Sequence, residues 1–593
     1  MDVVLVGLSG SGKSVIGRRL AAGHGATFVD LDEAIEARAG RSIPEIFAAD
    51  GETVFRALER EVIAALGPPG GADRIERVIA TGGGAVVDPR NRWILYRRRL
   101  PVWIDGPVEV LAARLRRSRH VRPLVAGSRD PVKALRALLA DRERFYAPAI
   151  RVDGTAGVGP VLRRIEAAVA ARLARSSAAE RGEDPDPDGT TAATMVPGGT
   201  LLLDARTRIG RIVLGEAMAA EVLADVLGGL RARRAILISE PGAWAAVGAG
   251  IAERLAAAGW LIESILLPRG EAAKRLAVVG RAARRLAALR VERGEPLVAI
   301  GGGALGDAAG FLAAVWLRGV PIVHVPTTLV AQIDSSIGGK TAVDLPEGKN
   351  LLGAFHQPVA VVIDVAALRS LPVRQRRAAL AEAVKMAVLG DDRLFELLET
   401  DGPAIARGEP WVFEAGVVAE LVERAAWAKV EVVLADERET GARISLNLGH
   451  SVGHGIEAAA GYRGILHGEA VAWGLRAACR IGVALDVTPA ERAARIEALL
   501  DRLGLGLGRA PVEREAVLAA MARDKKHELG RLRWVLPADA GYEVRRDVPE
   551  PLVRRVVDAL VGGRPGGTRV APGRRVGAPA RRVAAASPTA VEG

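Results

Sequence analysis

Cysteine is almost missing from this chain: Cys479 stands alone among 593 residues. One thiol excludes a disulfide framework and a thiolate metal site within the chain, and a reducing cytoplasm is the expected compartment. Aromatic residues are scarce too, at 4%. The net charge of +12 invites a nucleic-acid reading, but arginine is scattered along alanine-rich stretches and no basic stripe interleaves with aromatics. Residues 562–593 alone hold six arginines against one glutamate, five of the twelve net charges. No nucleic-acid partner is expected. No run of about 18 apolar residues lacks a charge, so no membrane span is expected either. The opening MDVVLVG has an acidic second residue and no basic flank, and it reads as a first strand, not a signal peptide.

The length allows two or three cores. A stretch rich in Pro, Gly, Ser and acidic residues, 176–199, reads as a linker, and 562–593 reads as a disordered basic tail. The first unit, 1–175, alternates β-branched runs (VVLVG, TFVD, RVIATGG, VWID, IRVD) with helical segments such as PVEVLAARLRRS. That pattern predicts an α/β fold with a parallel sheet. The second begins alike, with RIVLG, AILIS, LIESILLP, PLVAIGGG, PIVHVP and VAVVID. Beyond Leu371 the strand signal fades into long helical patterns, so an α/β subdomain over 200–370 and a helical one over 371–561 are expected.

GLSGSGKS, Gly7 to Ser14, follows the strand VVLV and opens a helix, which is the context a phosphate loop needs. Backbone N–H groups around Gly10, Ser11 and Gly12 can wrap the phosphates, Lys13 can reach the β/γ oxygens, and the Ser14 hydroxyl can hold Mg²⁺. The bland alternative is a strand–helix turn with no nucleotide. Asp30 and Asp32 follow in FVDLDEAIE. At i and i+2 of an extended segment both carboxylates would face one crevice, one for Mg²⁺ and one for an acceptor hydroxyl; a helix-capping pair is the competing reading.

Arg56 in GETVFRALE, TGGGAV from Thr81, RPL from Arg122, and Arg142 with Tyr146 in RERFY complete the set. In this order, the motifs resemble the shikimate kinase family across about 170 residues. The resemblance implies a P-loop kinase in which Asp32, Arg56, Gly82 and Arg142 hold shikimate, the two arginines clamping its carboxylate. It places Arg122 in a lid over ATP, Asp30 beside the Mg²⁺–ATP, and Asp32 and Lys13 in catalysis. A gluconate-type kinase is the nearest alternative within the fold.

In the second unit, PLVAIGGGALGDAAGF runs a buried strand into a glycine cluster, a pattern shared by dinucleotide sites and plain tight turns. HVPTTLVAQIDSSIGGKTAVD and GKNLLGAFHQP carry too many small and polar residues for a core, and read as a ligand-lined cleft. Three of the eight histidines fall between residues 450 and 467. His450 and His454 share a helix face. The Glu that a zinc protease needs after its first His is absent, Ser451 standing there. Histidines with a carboxylate and an open position suit a catalytic Zn²⁺; a hydrogen-bonded helix face is the alternative.

With GKN, LAEAVK, DERETGARISLNLGHSVGH, HGEAV and RDKK, these segments resemble the 3-dehydroquinate synthase family across about 350 residues. The resemblance implies NAD⁺ and Zn²⁺ or Co²⁺ as cofactors, with Glu382, His450 and His467 as metal ligands and His454 near the substrate. It assigns Asp334, Lys340, Lys349, Asn350, Lys385, Lys429, Arg443, Asn447 and one or both of Lys525 and Lys526 to the pocket for the sugar phosphate. It assigns the NAD⁺ contacts to Glu240, Glu271, Lys274, Gly302, Gly303, Asp307, Thr327 and Thr328, with Lys340 and Lys349 also on that side. Catalysis falls to Lys340, Lys385, Lys429, Arg443, Asn447 and His454. Arg318 matches an arginine that reaches the neighbouring subunit's phosphate site, so a homodimer is implied. Two positions depart from the family's pattern: Arg269 stands where an acidic residue is usual, and Glu240 replaces an aspartate near the adenosine ribose.

Related sugar-phosphate cyclases share this chemistry, and the attached kinase argues against them because both activities then serve one pathway. A glycerol-dehydrogenase-type enzyme would release reduced cofactor. Since two other enzymes must act between the two products, the fusion is expected to fix stoichiometry, with each half working alone.

Overall fold

The computed structural model describes residues 1–71, 74–117, 130–181, 199–439, 441–525 and 532–562. The first unit runs β1 (Asp2–Val6), α1 (Lys13–His24), β2 (Thr27–Asp30), α2 (Leu31–Ala39), α3 (Ile43–Ala64), β3 (Arg77–Ala80), α4 (Pro89–Tyr96), β4 (Leu100–Asp105), α5 (Val108–Arg116), α6 (Pro131–Tyr146), β5 (Ile150–Asp153) and α7 (Val158–Arg181). Its parallel sheet has the order β2-β3-β1-β4-β5. DVVLV is apolar after its first residue because β1 is central and buried on both faces, whereas the edge strands β2 and β5 carry polar, partly exposed residues. The order reverses at β1, so the crevice beyond its C-terminal end is where a ligand belongs.

The second unit has β6 (Thr200–Thr207), β7 (Gly210–Glu216), α8 (Ala219–Gly229), β8 (Arg234–Ser239), α9 (Ala249–Ala257), β9 (Leu261–Leu266), α10 (Leu276–Ala288), β10 (Leu297–Gly301), α11 (Gly303–Val315), β11 (Ile322–Pro326), the hairpin β12 (Lys340–Leu345) and β13 (Gly348–Phe355), and β14 (Ala360–Asp364). Its sheet order is β6-β7-β14-β11-β10-β8-β9, parallel except for β6 against β7. Its switch point lies between β8 and β10, which are followed directly by Glu240 and by Gly302. Helices follow: α12 (Val373–Gly390), α13 (Asp392–Thr400), α14 (Val417–Ala435), α15 (His450–Ala459), α16 (His467–Ala484), α17 (Ala490–Leu500), α18 (Arg514–Lys525) and α19 (Glu550–Leu560), with a small hairpin β15 (Trp534–Pro537) and β16 (Tyr542–Arg545) before the last.

Every strand segment read from the sequence is a strand. β6, β12–β13 and β15–β16 are additional. Helix α7 continues to Arg181, past the expected start of the linker at Ser176; the rest of that stretch and nearly all of the basic tail lie outside the described residues. None of the described helices is long and apolar enough to cross a membrane.

The two units share one core. The apolar cluster containing Trp93, Leu95, Tyr96 and Phe145 continues into Leu202, Leu394, Val418 and Leu421. Arg92, with 0% of its side chain exposed, pairs with Glu423 of α14, and Arg90 reaches Glu420 at 2.6 Å and Asp401 at 2.8 Å. The Trp93 indole N–H donates to the Glu414 carbonyl at 2.9 Å. Two half-molecules merely tethered would not bury guanidinium–carboxylate pairs between them, since an unpaired buried charge is costly.

Candidate functional site

In the first unit the phosphate loop leaves β1 and turns into α1. Gly12 sits at the helix N-cap with φ 97°, a left-handed conformation that glycine adopts without strain. Lys13 is buried, its ammonium donating to the carbonyls of Gly7 at 2.8 Å and Leu8 at 3.0 Å and to Ser11 Oγ at 3.4 Å. Gly10, Ser11, Gly12 and Ser14 ring the same turn.

The extended-segment argument for Asp30 and Asp32 does not hold. β2 ends at Asp30 and Asp32 lies in the first turn of α2, where Asp30 Oδ1 accepts the Asp32 N–H at 3.1 Å as an N-cap. Asp32 nevertheless faces the glycine loop: a Cβ built on Gly82 would lie 2.9 Å from Asp32 Oδ1. Arg56 and Arg142 close the other sides. A Cβ on Gly84 would lie 2.7 Å from the Arg56 guanidinium, and Arg142 donates to the Gly83 carbonyl at 2.9 Å. Tyr146 donates to that same carbonyl at 2.5 Å. Glu59, which the sequence reading missed, is buried beneath Arg56 at 2.9 Å; burial pushes its carboxyl up against the pull of that guanidinium. Arg122 lies outside the described residues.

The second unit gathers its candidates where α12, α14, α15 and α16 meet. Gly468 makes this possible: a Cβ there would fall 1.9 Å from the Ala378 carbonyl, so the start of α16 presses directly on α12. That brings His467 Nε2 to 3.1 Å from Glu382 Oε1, with His450 Nε2 at 3.5 Å from the same oxygen. A tetrahedral Zn²⁺ with bonds of ~2.0–2.1 Å needs donor–donor edges of about 3.3 Å, close to these two, and the three donor atoms all lie within 4.8 Å of one another. The His450 Nδ1 is held by the Leu448 carbonyl at 3.1 Å, and the His467 Nδ1 by Glu457 at 3.0 Å, which turns both Nε2 atoms toward Glu382.

Two carboxylates set the charge of His467. Burial works against a charge on His467, but hydrogen bonds to Glu382 and Glu457 outweigh it and push its pKa up to about 10. Glu382 is fully buried, which would raise its pKa, yet Lys385 and His450 hold it well below the carboxylate range. His454 stands on the same face of α15, its ring 5.1 Å from that of His450. Glu457 was also missed in sequence, although His450, His454 and Glu457 follow the i, i+4, i+7 spacing of a single helix face.

A cationic cluster adjoins this triangle. Lys385 lies 2.6 Å from Glu382 and 3.5 Å from Asp334, and Lys429 pairs with Asp334 as well. Burial pushes Lys429 down to about 8, Asp334 opposing and Lys385 adding to the shift. Arg443 is buried with its guanidinium on the carbonyls of Glu437 and Gly338, while Lys340 and Asn447 converge on Glu439, another residue the sequence reading missed. Lys525 has no described side chain and Lys526 is outside the described residues.

Beside it, the N-terminus of α11 opens at Gly302 and Gly303, with Thr327 and Thr328 after β11. Lys274 bridges Asp307 at 2.7 Å and Asn350, and burial, partly offset by Lys274, pushes Asp307 up to about 6. Lys349 joins the two regions, 2.5 Å from Glu271 and 3.5 Å from Glu457. Glu240 accepts the Gly270 N–H at 3.3 Å, and the Arg269 guanidinium lies against Gly242 in the turn just after Glu240. Arg318 is exposed at the far end of α11, away from the cluster.

The fold and these two sites define a two-part enzyme, a phosphate-loop kinase joined to an α/β enzyme with a His–His–Glu centre. Residues 9–160 match the shikimate kinase family, 264–378 match the 3-dehydroquinate synthase N-terminal family and 379–527 its C-terminal counterpart. The 3-dehydroquinate synthase of Gloeobacter violaceus is 44% identical over 334 residues, spanning 56% of this chain and 91% of that relative. That of a Synechococcus strain is 42% identical over 328 residues, spanning 55% and 88%. Among solved structures, 2-epi-5-epi-valiolone synthase of Streptomyces hygroscopicus with NAD⁺ and Zn²⁺ bound is 28% identical with a TM-score of 0.55, over 59% of this chain and 96% of its own. Shikimate kinase of Acinetobacter baumannii in complex with shikimate is 34% identical, over 28% of this chain and 92% of its own, with a TM-score of 0.26. The chain belongs to the 3-dehydroquinate synthase family and carries a shikimate kinase domain ahead of it.

Proposed function

We propose that the kinase half transfers the γ-phosphate of ATP to the 3-hydroxyl of shikimate. The synthase half converts 3-deoxy-arabino-heptulosonate 7-phosphate to 3-dehydroquinate and phosphate. In the kinase, Gly10, Ser11, Gly12 and Lys13 cradle the nucleotide phosphates, with Ser14 and Asp30 beside its Mg²⁺. Arg56 and Arg142 take the shikimate carboxylate, Gly82 backs the ring, and Asp32 orients the hydroxyl. Their convergence on one glycine loop supports this assignment.

The observation that carries the synthase reading is the Lys385–Asp334–Lys429 cluster set against Glu382, His450 and His467. A substrate bearing both a carboxylate and a phosphate needs such fixed cations, and Lys340, Arg443, Asn350, Asn447, His454 and the Lys525–Lys526 pair complete the pocket. Glu382, His450 and His467 would hold a divalent ion, which would polarise the C5 hydroxyl, and bound NAD⁺ would transiently accept the hydride from C5 as that hydroxyl loses its proton. The chain's own groups neutralise the departing phosphate, move protons and keep the open-chain sugar in place for ring closure. Glu240, Glu271, Lys274, Gly302, Gly303, Asp307, Thr327, Thr328 and Lys349 hold the dinucleotide along the switch-point crevice. The exposed Arg318 supports a homodimer in which it reaches the partner's phosphate site. The enzyme works in the cytoplasm on small molecules.

2-Epi-5-epi-valiolone synthase and 2-deoxy-scyllo-inosose synthase are 28% and 26% identical, against 44% for a 3-dehydroquinate synthase, and the attached kinase favours the same pathway. Incubating the chain with Mg²⁺–ATP and shikimate or gluconate tests the kinase assignment by phosphorus NMR. Shikimate 3-phosphate is the expected product, and phosphorylation of gluconate alone would contradict it.

A further inference from the structure

A cavity of about 830 Å³ lies between the two halves. Arg56, Gly84 and Arg142, the shikimate-side residues, line it from the kinase; Asp391, Trp427 and Ala428 line it from the synthase. The wall facing the acceptor site is therefore built partly by α14, whose next residue, Lys429, belongs to the synthase cluster.

Arg142 is tied to α14 through its neighbours. The guanidinium of Arg144, two residues on, stacks on Trp427 at 4.2 Å from the ring centroid and on Phe145 at 4.7 Å. Arg92 stacks on Phe145 at 4.3 Å and pairs with Glu423. Trp427 is itself fixed by donating its indole N–H to Glu431 at 2.9 Å, one turn along its own helix. Arginine–aromatic stacks that are withdrawn from water are worth more than exposed ones. The two kinase elements concerned are α6, which carries Arg142, and α4, which follows the glycine loop holding shikimate. Both are pinned to the same synthase helix.

We infer that the synthase half completes the acceptor site of the kinase, with Trp427 acting as a positioning residue for the Arg142 clamp and α14 walling the route to it. This rests on the reading of Arg56 and Arg142 as the shikimate clamp. It replaces the expectation that each half works alone. A ligand of this cavity is a small carboxylate, because Arg56 and Arg142 both line it and a guanidinium pair suits a single carboxylate.

The test uses the full-length chain and measures KM for shikimate, KM for ATP, kinase kcat and synthase turnover. Trp427→Ala is expected to raise the shikimate KM about tenfold, the loss of one half-buried cation–π contact, with ATP KM and synthase turnover unchanged and Trp427→Phe restoring most of the affinity. An unchanged shikimate KM, or an equal rise in both KM values, overturns the inference. Should Trp427→Ala fail to fold, Ala428→Phe decides. It narrows the cavity without removing a contact, so shikimate kcat/KM must fall; an unchanged value overturns the inference. Arg142→Ala separates the two readings. If it leaves the shikimate KM intact, the clamp itself is misassigned; if it raises that KM while Trp427→Ala is silent, only the present inference fails.

Discussion

Arg92 and Glu423, 331 residues apart in sequence, meet as an ion pair with side-chain exposures of 0% and 8%. Removing one partner of a buried pair leaves the other charge without compensation, at a cost of about 3–5 kcal/mol. Glu423→Ala should therefore lower the unfolding free energy of the full-length chain by that order, read by denaturant melting. A change below about 1 kcal/mol would mean that the interface does not hold the halves together.

That pair also marks the limit of what sequence alone conveys. The buried central strands were legible because strands covered on both faces read as unbroken apolar runs, and the phosphate loop because glycine, Lys13 and Ser14 stand at fixed offsets. Asp32 was placed on the right side for the wrong reason, since its backbone is helical. Glu457 had a helical spacing that would have revealed it. Glu439, Glu59 and Trp427 had no local signal: each acquires meaning only from a partner brought in by tertiary packing. The resemblance to known families, not periodicity, supplied Glu382, His450 and His467 as the proposed ligand set.

The Glu457 carboxylate orients His467 from behind, at 3.0 Å from Nδ1. Carboxylates in that role typically contribute 10–100-fold to metal affinity. Glu457→Gln is expected to weaken Zn²⁺ or Co²⁺ binding by about that factor in a competition titration against a chromophoric chelator, with folding retained. An unchanged affinity would separate Glu457 from the metal site.

Lys429 sets a pH limit. Its folded pKa of about 8 lies below the ordinary 10.5, so the ammonium proposed to attract an anionic substrate is lost as pH rises through 8. Synthase kcat/KM should decline there, and Lys429→Arg should move the decline upward because a guanidinium stays charged. The same depression means that between about 8 and 10.5 the unfolded chain binds a proton that the folded chain has released. This group's contribution to stability therefore rises with pH across that window. Wild type and Lys429→Met should differ in slope there and not below it; identical slopes would contradict the assignment.

Lys13 answers for the kinase alone. Lys13→Ala should slow shikimate phosphorylation by a factor on the order of 10²–10³, the cost of removing one preorganised charge from a transition state. Synthase turnover should be untouched, because Lys13 donates to Gly7, Leu8 and Ser11 of its own loop. A parallel fall in both activities would point to unfolding.

The most direct test of the whole account is phosphate release from 3-deoxy-arabino-heptulosonate 7-phosphate by the purified chain with NAD⁺, with and without a metal chelator. Chelator-sensitive release is expected with no net formation of reduced nicotinamide, because the hydride is returned within each turnover. No release from folded, metal-loaded protein, or release accompanied by accumulating reduced cofactor, would contradict it.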